Sequence, residues 1–245
     1  MNSLQSYSRI VFFTGAGMSA ECGVPTYRGK GGIWDQYDYQ DVACQKAFEK
    51  HPEKVLAFHE KRRKAMLSCH PHAGHAVLTA IENQHPEMII VTQNIDGMHQ
   101  RAGSRNVIEL HGSLWRTRCQ AHGVFEDMGE TYSHYTCPHC STWLRPDITW
   151  FGDAMNEQVM KAADDVVSRC DLFVSIGTSA IVWPAAGFPE LARDYGAWCV
   201  EINPEATKVS SLYHETIRLP ASEALQQPPF ITNHHARMGT TKNEN

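Results

Sequence analysis

The chain has 245 residues, 42% hydrophobic and 20% charged, the make-up of a globular protein large enough for one sizeable α/β domain with a small insert. A formal net charge of −5 argues against nucleic acid as a default partner, and no apolar run reaches the ~20 residues of a membrane span. Arg9 is the only early basic residue and residues 10–13 are too short for the apolar part of a signal peptide, so the eight cysteines are expected in a reducing, cytoplasmic setting, bound to metal or packed rather than in disulfides.

The first strand is expected at Ile10–Thr14. It runs straight into Gly15-Ala16-Gly17-Met18-Ser19-Ala20, which fits G-x-G-x-x-[GA], the turn that lets backbone N–H groups approach a pyrophosphate. A redox dinucleotide unit needs a second strand soon after, ending in an acid. Asp35 lies at the right distance but follows "VPTYRGKGGIW", whose Pro25, Gly29, Gly31 and Gly32 forbid a regular element. A long loop carrying Tyr27 and Arg28 suits a flap over a ligand better.

Helical patterns follow over 44–69 and 73–83, then a buried strand at Met88–Thr92. Gln93, Asn94 and Asp96 crowd the end of that strand, where open α/β sheets bind ligands; helix capping is the alternative use of Asn and Asp. "NVIELHGS" reads as another short strand, ending in His111-Gly112 at the edge of the same crevice, where a neutral imidazole can act as general base.

Residues 115–147 break the rhythm: they are polar, poor in aliphatics and rich in Cys and His. Cys119, His122, Cys137 and Cys140 form two pairs with two-residue spacers about fourteen residues apart, a tetrahedral zinc pattern, with His134 and His139 as rival fourth ligands. A closed four-ligand set would be structural, and the insert has little else to hold it together. Beyond it, helices are expected over 157–169 and 185–195, and buried strands at Leu172–Ile176 and Trp198–Ile202. Strands alternating with helices predict a Rossmann-like, doubly wound, mostly parallel sheet. The tail 232–245 has no apolar stripe and is expected to be disordered.

Together these stretches resemble one family closely, the sirtuins, NAD-dependent protein-lysine deacylases. The resemblance runs from about Arg9 to Leu225 through "GAGMSAECGVPTYRG", "TQNIDGMHQRAG", "ELHG", "LRPDITWFGD", "GTSAIVWPA", "EIN" and "PASEAL". The short N-terminus and the loops look most like the bacterial and mitochondrial class associated with removing acidic acyl groups. The resemblance implies a large Rossmann-like domain at about 1–38, 84–114 and 148–231, and a small domain from 39–83 and 115–147 with one structural zinc. It implies that NAD is a consumed co-substrate. Gly15, Ala16, Gly17 and Ala20 would approach its pyrophosphate, with Thr26, Tyr27, Arg28 and Trp34 covering the nicotinamide ribose. Gln93, Asn94, Ile95 and Asp96 would orient that ribose, with Asn94 and Asp96 taking part in catalysis beside the base His111. Gly177, Thr178 and Ser179 would take the adenosine side, and Asn203, Pro204, Glu205 and Ala221 the adenine end.

The substrate, an acyl-lysine protein, would enter along Trp150, Phe151, Gly152 and Val182, its peptide lying as a strand between 151–153 and 181–183. Products would be nicotinamide, free lysine and O-acyl-ADP-ribose. No membrane or nucleic-acid partner is implied, and a monomer is expected. Three positions depart from the family pattern. In "AFHEKRRKAM", Arg62 stands at the Arg of the acidic-acyl class but His59 replaces its Tyr, which implies weakened acidic-acyl activity beside deacetylation; an exposed basic helix is the plainer reading. His122 replaces the usual zinc Cys, and Trp183 replaces a smaller or phenolic residue at the peptide cleft. Mono-ADP-ribosyl transfer and non-catalytic NAD sensing are the competing functions, and Cys22 and Cys44 read as packing residues.

Overall fold

A computed structural model describes residues 2–27 and 31–231. Arg28 of the expected flap and the tail from Thr232 lie outside the described residues. Strand β1 (Ile10–Thr14) runs into α1 (Ala16–Ala20), and after an irregular stretch come α2 (Ile33–Gln36), α3 (Tyr39–Val42), α4 (Gln45–Lys50), α5 (Pro52–Leu67) and α6 (Ala73–Gln84). Then follow β2 (Met88–Thr92), α7 (Met98–Arg101), β3 (Val107–Glu109), β4 (Gly112–Cys119), β5 (Gly123–Glu126) and β6 (Arg145–Ile148). The chain closes with α8 (Glu157–Val167), β7 (Leu172–Ile176), α9 (Phe188–Asp194), β8 (Trp198–Ile202), β9 (Glu215–Ile217) and α10 (Ala221–Leu225).

The large sheet has six strands in the order β3-β2-β1-β7-β8-β9, all parallel, the Rossmann-like doubly wound arrangement expected. Its inner strands are continuous apolar runs because helices cover both faces. Side chains alternate across the sheet. Phe12 therefore joins Ile90, Val174, Leu78 and Leu225 on one face, while Phe13 joins Phe173, Val167 and Phe188 on the other. The cysteine-rich insert forms a separate three-stranded antiparallel sheet, β5-β4-β6.

Local chemistry explains the departures from the expected boundaries. The helical pattern over 44–69 is broken at His51 (φ −144°, ψ 67°), because the residue before Pro52 is pushed out of the helical region. A 3-10 turn, Ala185–Gly187, precedes α9, and Pro189 sits in the first turn. The expected strand over 106–113 is two strands of two different sheets. Gly112 (φ +76°) makes the break: a Cβ there would stand 2.0 Å from the Asp147 carbonyl oxygen. His111 therefore lies at the junction of the sheets, not at the end of a strand.

We propose that the molecule works as a large and a small domain, with one boundary moved from that expected. Leu78 and Ile81 of α6 are buried in the large-sheet core, so α6 packs with that sheet. Helix α5 joins the two parts. Its Arg63 is fully buried, with Nη2 2.6 Å from Asp127 Oδ1 and bonded to the Asp127 carbonyl, and Nε donating to Gly129 O at 2.8 Å. The guanidinium stacks on Tyr132 (4.4 Å) and Trp115 (5.6 Å). Arg63→Met would leave the Asp127 carboxylate buried and unpaired. Urea denaturation should show a loss of about 3–5 kcal/mol; a loss below about 1 kcal/mol, the scale of a surface pair, would deny the pair its anchoring role.

Candidate active site

Strand order reverses between β1 and β7, and open α/β sheets bind ligands outside the carboxyl ends of strands at such a point. The two loops there meet through main chain alone. Gly15 N–H donates to Ile176 O (2.9 Å) and Gly17 N–H to Gly177 O (2.8 Å). A Cβ on Gly17 would stand 2.6 Å from Gly177 Cα, and one on Gly15 2.8 Å from Gly177 O. The glycines are therefore required by loop packing, whatever ligand lies above them.

A cavity of about 1020 Å³ opens in front of this contact. Its wall brings together Gly15, Ala16, Gly17, Ala20, Thr26, Tyr27, Trp34, Gln93, Asn94, Ile95, Gly177, Thr178, Ser179, Asn203, Pro204, Glu205 and Ala221. His59, Arg62, Trp150, Phe151, Gly152 and Val182 line the same space, as does His111. Asp96 does not. It is buried behind the wall, where its Oδ1 accepts from Met98 N–H (2.9 Å) and its carbonyl accepts from Trp115 Nε1–H (2.7 Å). Burial raises its pKa. In this arrangement the Asp96 carboxylate closes a short turn just ahead of α7, whose N-cap is Gly97.

Asn94 donates from Nδ2 to Gly15 O (3.0 Å) and Ser19 Oγ (3.3 Å), and Gln93 Nε2 donates to Thr178 Oγ1 (2.9 Å). Burial pushes His111 down to about 4, so its ring is neutral, with an unprotonated nitrogen, near pH 7. At the other end of the cavity His59 is almost fully buried, stacked on Trp150 at 5.9 Å. Burial, then Arg62 and Arg145, hold it well below the usual imidazole range; of its polar neighbours only the Val42 backbone favours the proton. Buried nitrogens without a hydrogen-bond partner collect here: both of His59, Nε of Arg62, and Nε1 of Trp34 and of Trp150.

Sequence reasoning missed several residues of the wall, among them Ala43, Thr149, Met155, Thr207, Lys208 and Pro220. It also missed what holds the 203–210 loop. Glu201, 2% exposed, accepts from Thr207 Oγ1 (2.7 Å), Ser210 Oγ (2.6 Å) and Arg218 Nη1 (2.6 Å). The signal was available: a lone carboxylate inside the buried strand "WCVEI" must find partners.

In the small sheet, Cys119 Sγ, His122 Nδ1, Cys137 Sγ and Cys140 Sγ lie within 4.8 Å of one another. Cys119 Sγ is 3.5 Å from His122 Nδ1 and 3.6 Å from Cys140 Sγ, and Cys137 Sγ is 3.5 Å from His122 Nδ1. Bond lengths of 2.0–2.3 Å about a tetrahedral zinc put ligand atoms roughly 3.5–3.8 Å apart, so the set fits that ion. Contact with His122 holds the Cys119 thiol down to about 5. A second group, Cys22, His72 and His75, does not fit a metal as well. His72 uses both ring nitrogens, Nε2 on Met18 O (2.7 Å) and Nδ1 accepting from Gly74 N–H (2.9 Å), and burial pushes Cys22 up to about 11.

Residues 15–184 match the model of the Sir2 family. The chain is 37% identical over 226 residues to an NAD-dependent protein deacylase of Aquifex aeolicus, covering 89% of this chain and 92% of that protein. It is 39% identical to NAD-dependent protein deacylase 2 of Pyrobaculum aerophilum, covering 91% and 90%. The fold is similar to the crystal structure of a Sir2 homologue in complex with NAD, with a TM-score of 0.84 at 36% identity, covering 91% of this chain and 88% of that one.

Metal analysis of the purified protein should give about one zinc per chain, and His122→Ala should lower that content and loosen the small sheet. Well under one zinc per chain in the unaltered protein would sink the assignment.

Proposed function

The chain belongs to the Sir2 family, and on that premise we propose that it removes acyl groups from protein lysines in an NAD-dependent reaction. It is an enzyme, a protein deacylase, and NAD is consumed rather than reduced, leaving nicotinamide and O-acyl-ADP-ribose. The observation that carries this reading is the single cavity: a backbone-lined crevice, a neutral imidazole and an aromatic channel open into one space.

When bound, NAD supplies a ribose carbon from which nicotinamide departs, and the acyl oxygen of the lysine amide attacks there. The residues then divide the work. Gly15, Ala16, Gly17 and Gly177 present main chain to the pyrophosphate, with no side chain in the way. Gln93 and Asn94, already tied to both glycine loops, orient the nicotinamide ribose. Tyr27 and Trp34, packed ring on ring at 5.6 Å, wall that end. Asn203, Pro204, Glu205 and Ala221 face the adenine. Trp150 and Phe151 keep water from the acyl-lysine, and the exposed edges at Phe151, Ile181 and Trp183 offer the peptide an apolar rim. His111 takes a proton from a ribose hydroxyl, which frees that side of the ribose to receive the acyl group. The free cysteines support a cytoplasmic setting, and among the described residues no helix is long and apolar enough to cross a membrane.

The sign of the His111 shift sets a pH test. A lowered pKa keeps the base form down to about 4, where an ordinary imidazole loses it below 6.5. The acid limb of kcat/KM should therefore fall with an apparent pKa below 6.5. His111→Asn should cut kcat/KM about 10²–10⁴-fold while the protein still binds ADP-ribose by calorimetry. An unaffected variant would overturn the mechanism.

We also propose that the enzyme accepts acidic acyl groups such as succinyl beside acetyl. Arg62 supports this, being a cation on the cavity wall that donates to the Tyr27 hydroxyl and whose charge the buried Asp96 feels only electrostatically. On matched acetyl and succinyl peptides, Arg62→Met should lower the succinyl-to-acetyl ratio of kcat/KM about 10- to 100-fold, the worth of hydrogen bonds to a charged group. An unchanged ratio would remove Arg62 from acyl selection.

A further inference from the structure

Arg62 is not idle in this structure. Its Nη2–H donates to the Tyr27 hydroxyl at 2.8 Å, and its guanidinium carbon lies 5.0 Å from the centre of the Tyr27 ring and 5.9 Å from that of Phe58. Its Nε is buried without a partner. Nε and Nη2 belong to the same edge of a guanidinium, the fork that grips a carboxylate with two parallel bonds. One prong of that fork is unused, and the other carries a neutral phenol.

We propose that Tyr27 is a specificity-determining residue: its hydroxyl competes with acyl groups that end in a carboxylate for Arg62, and so sets the balance between neutral and acidic acyl-lysines. This rests on the deacylase reading and on Arg62 meeting the far end of the acyl chain. A neutral acyl group leaves the Tyr27 bond in place and the cation satisfied. An acidic acyl group engages Nε and Nη2 together and displaces the phenol from Nη2. The carboxylate is the stronger acceptor, so the exchange is favourable, but it is weakened by the bond that is given up. His59 stands on the same wall as a neutral ring, so it brings no charge to the contest.

The competing hydroxyl can be removed without removing the wall. The Tyr27 ring is held by Trp34 at 5.6 Å, and the Tyr27 carbonyl accepts from Trp34 N–H at 3.2 Å. Neither contact uses the hydroxyl, and the stacking of Arg62 on the ring survives in Tyr27→Phe.

The test is a double-mutant cycle on the full chain: parent, Tyr27→Phe, Arg62→Met and the double variant, each assayed for kcat/KM on matched acetyl-lysine and succinyl-lysine peptides. The readout is the succinyl-to-acetyl ratio within each protein, from which a general loss of activity cancels. Tyr27→Phe should raise that ratio about three- to tenfold, the size of one displaced hydrogen bond. In the Arg62→Met background the same change should leave the ratio where it is. Calorimetry of succinyl-lysine peptide without NAD gives a second measure, expected to tighten by a similar factor in Tyr27→Phe. An unchanged ratio in Tyr27→Phe overturns the proposal. A lowered ratio does so too, since it would make the hydroxyl a helper of the carboxylate, and so does an effect that persists without Arg62. If Arg62→Met alone leaves the ratio unchanged, the acyl-reading role of Arg62 falls first, and with it the competition. A parent protein inactive on both peptides would refute the deacylase reading itself.

Discussion

Gly17 lies on Gly177 with nothing between them but hydrogen atoms, and the site is built outward from that contact. Strands β1 and β7 are neighbours at the centre of the sheet, and their loops leave it at the same level. Because Gly15, Gly17 and Gly177 carry no side chain where the loops touch, the loops close to main-chain distance, with the Thr178 side chain against Gly15. The loops after the two flanking strands, β2 and β8, are then tied to this contact. Asn94 and Gln93, after β2, reach Gly15 O and Thr178 Oγ1; Asn203, after β8, donates from Nδ2 to Thr178 O at 3.1 Å. Any Cβ at the central contact would spread four loops at once. A glycine pattern that reads as ligand recognition is thus first a rule about how closely two turns can pack.

Burial then decides the electrostatics. Desolvation is the first cause that keeps four histidines neutral: His111 at about 4, His75 at about 2, His99 at about 3, and His59 well below its usual range. Their roles separate by what they touch. His99 bonds Thr14 Oγ1 at 3.0 Å and stacks beside His75, so that pair belongs to the packing beneath the glycine turn. His111 and His59 face the cavity with ring nitrogens available to a ligand. Glu201 shows the opposite solution to burial. It takes three donors, and the 203–210 loop on the cavity wall is held as a result.

The four inner strands of the large sheet, β1, β2, β7 and β8, were legible in the amino-acid sequence because strands covered on both faces need unbroken apolar runs, whereas the short edge strand β9, Glu215–Ile217, has no such run and was not anticipated. The glycine turn, the Cys3His spacing and the cavity-lining residues near each strand end were legible for a similar reason, since each is a local pattern. Three further features were not. The strand over 106–113 looked continuous, and only the backbone of Asp147 crossing at Gly112 shows why it breaks. Asp96 had two readings, cap or ligand, that composition cannot separate. The basic run "AFHEKRRKAM" looked like a solvated face, yet His59 and Arg63 are buried in it. A side chain's partner here comes from 64 residues away, as Asp127 does for Arg63, and no window along the chain contains both.

Helix α5 links the cavity to the small sheet that carries the metal-ligand set. Arg62 and Arg63 are adjacent, so they leave the helix about 100° apart. One reaches the cavity and the other reaches the small sheet. That sheet has almost no core of its own: Cys119, Cys137 and Leu144, with Phe125 against them. The four-ligand set leaves no open coordination position for a reacting water, so a metal there can hold strands but not do chemistry. What it holds is the far side of the Arg63–Asp127 pair. The cavity and the small sheet are thus joined by two consecutive residues of one helix, Arg62 on the cavity wall and Arg63 in the buried pair with Asp127.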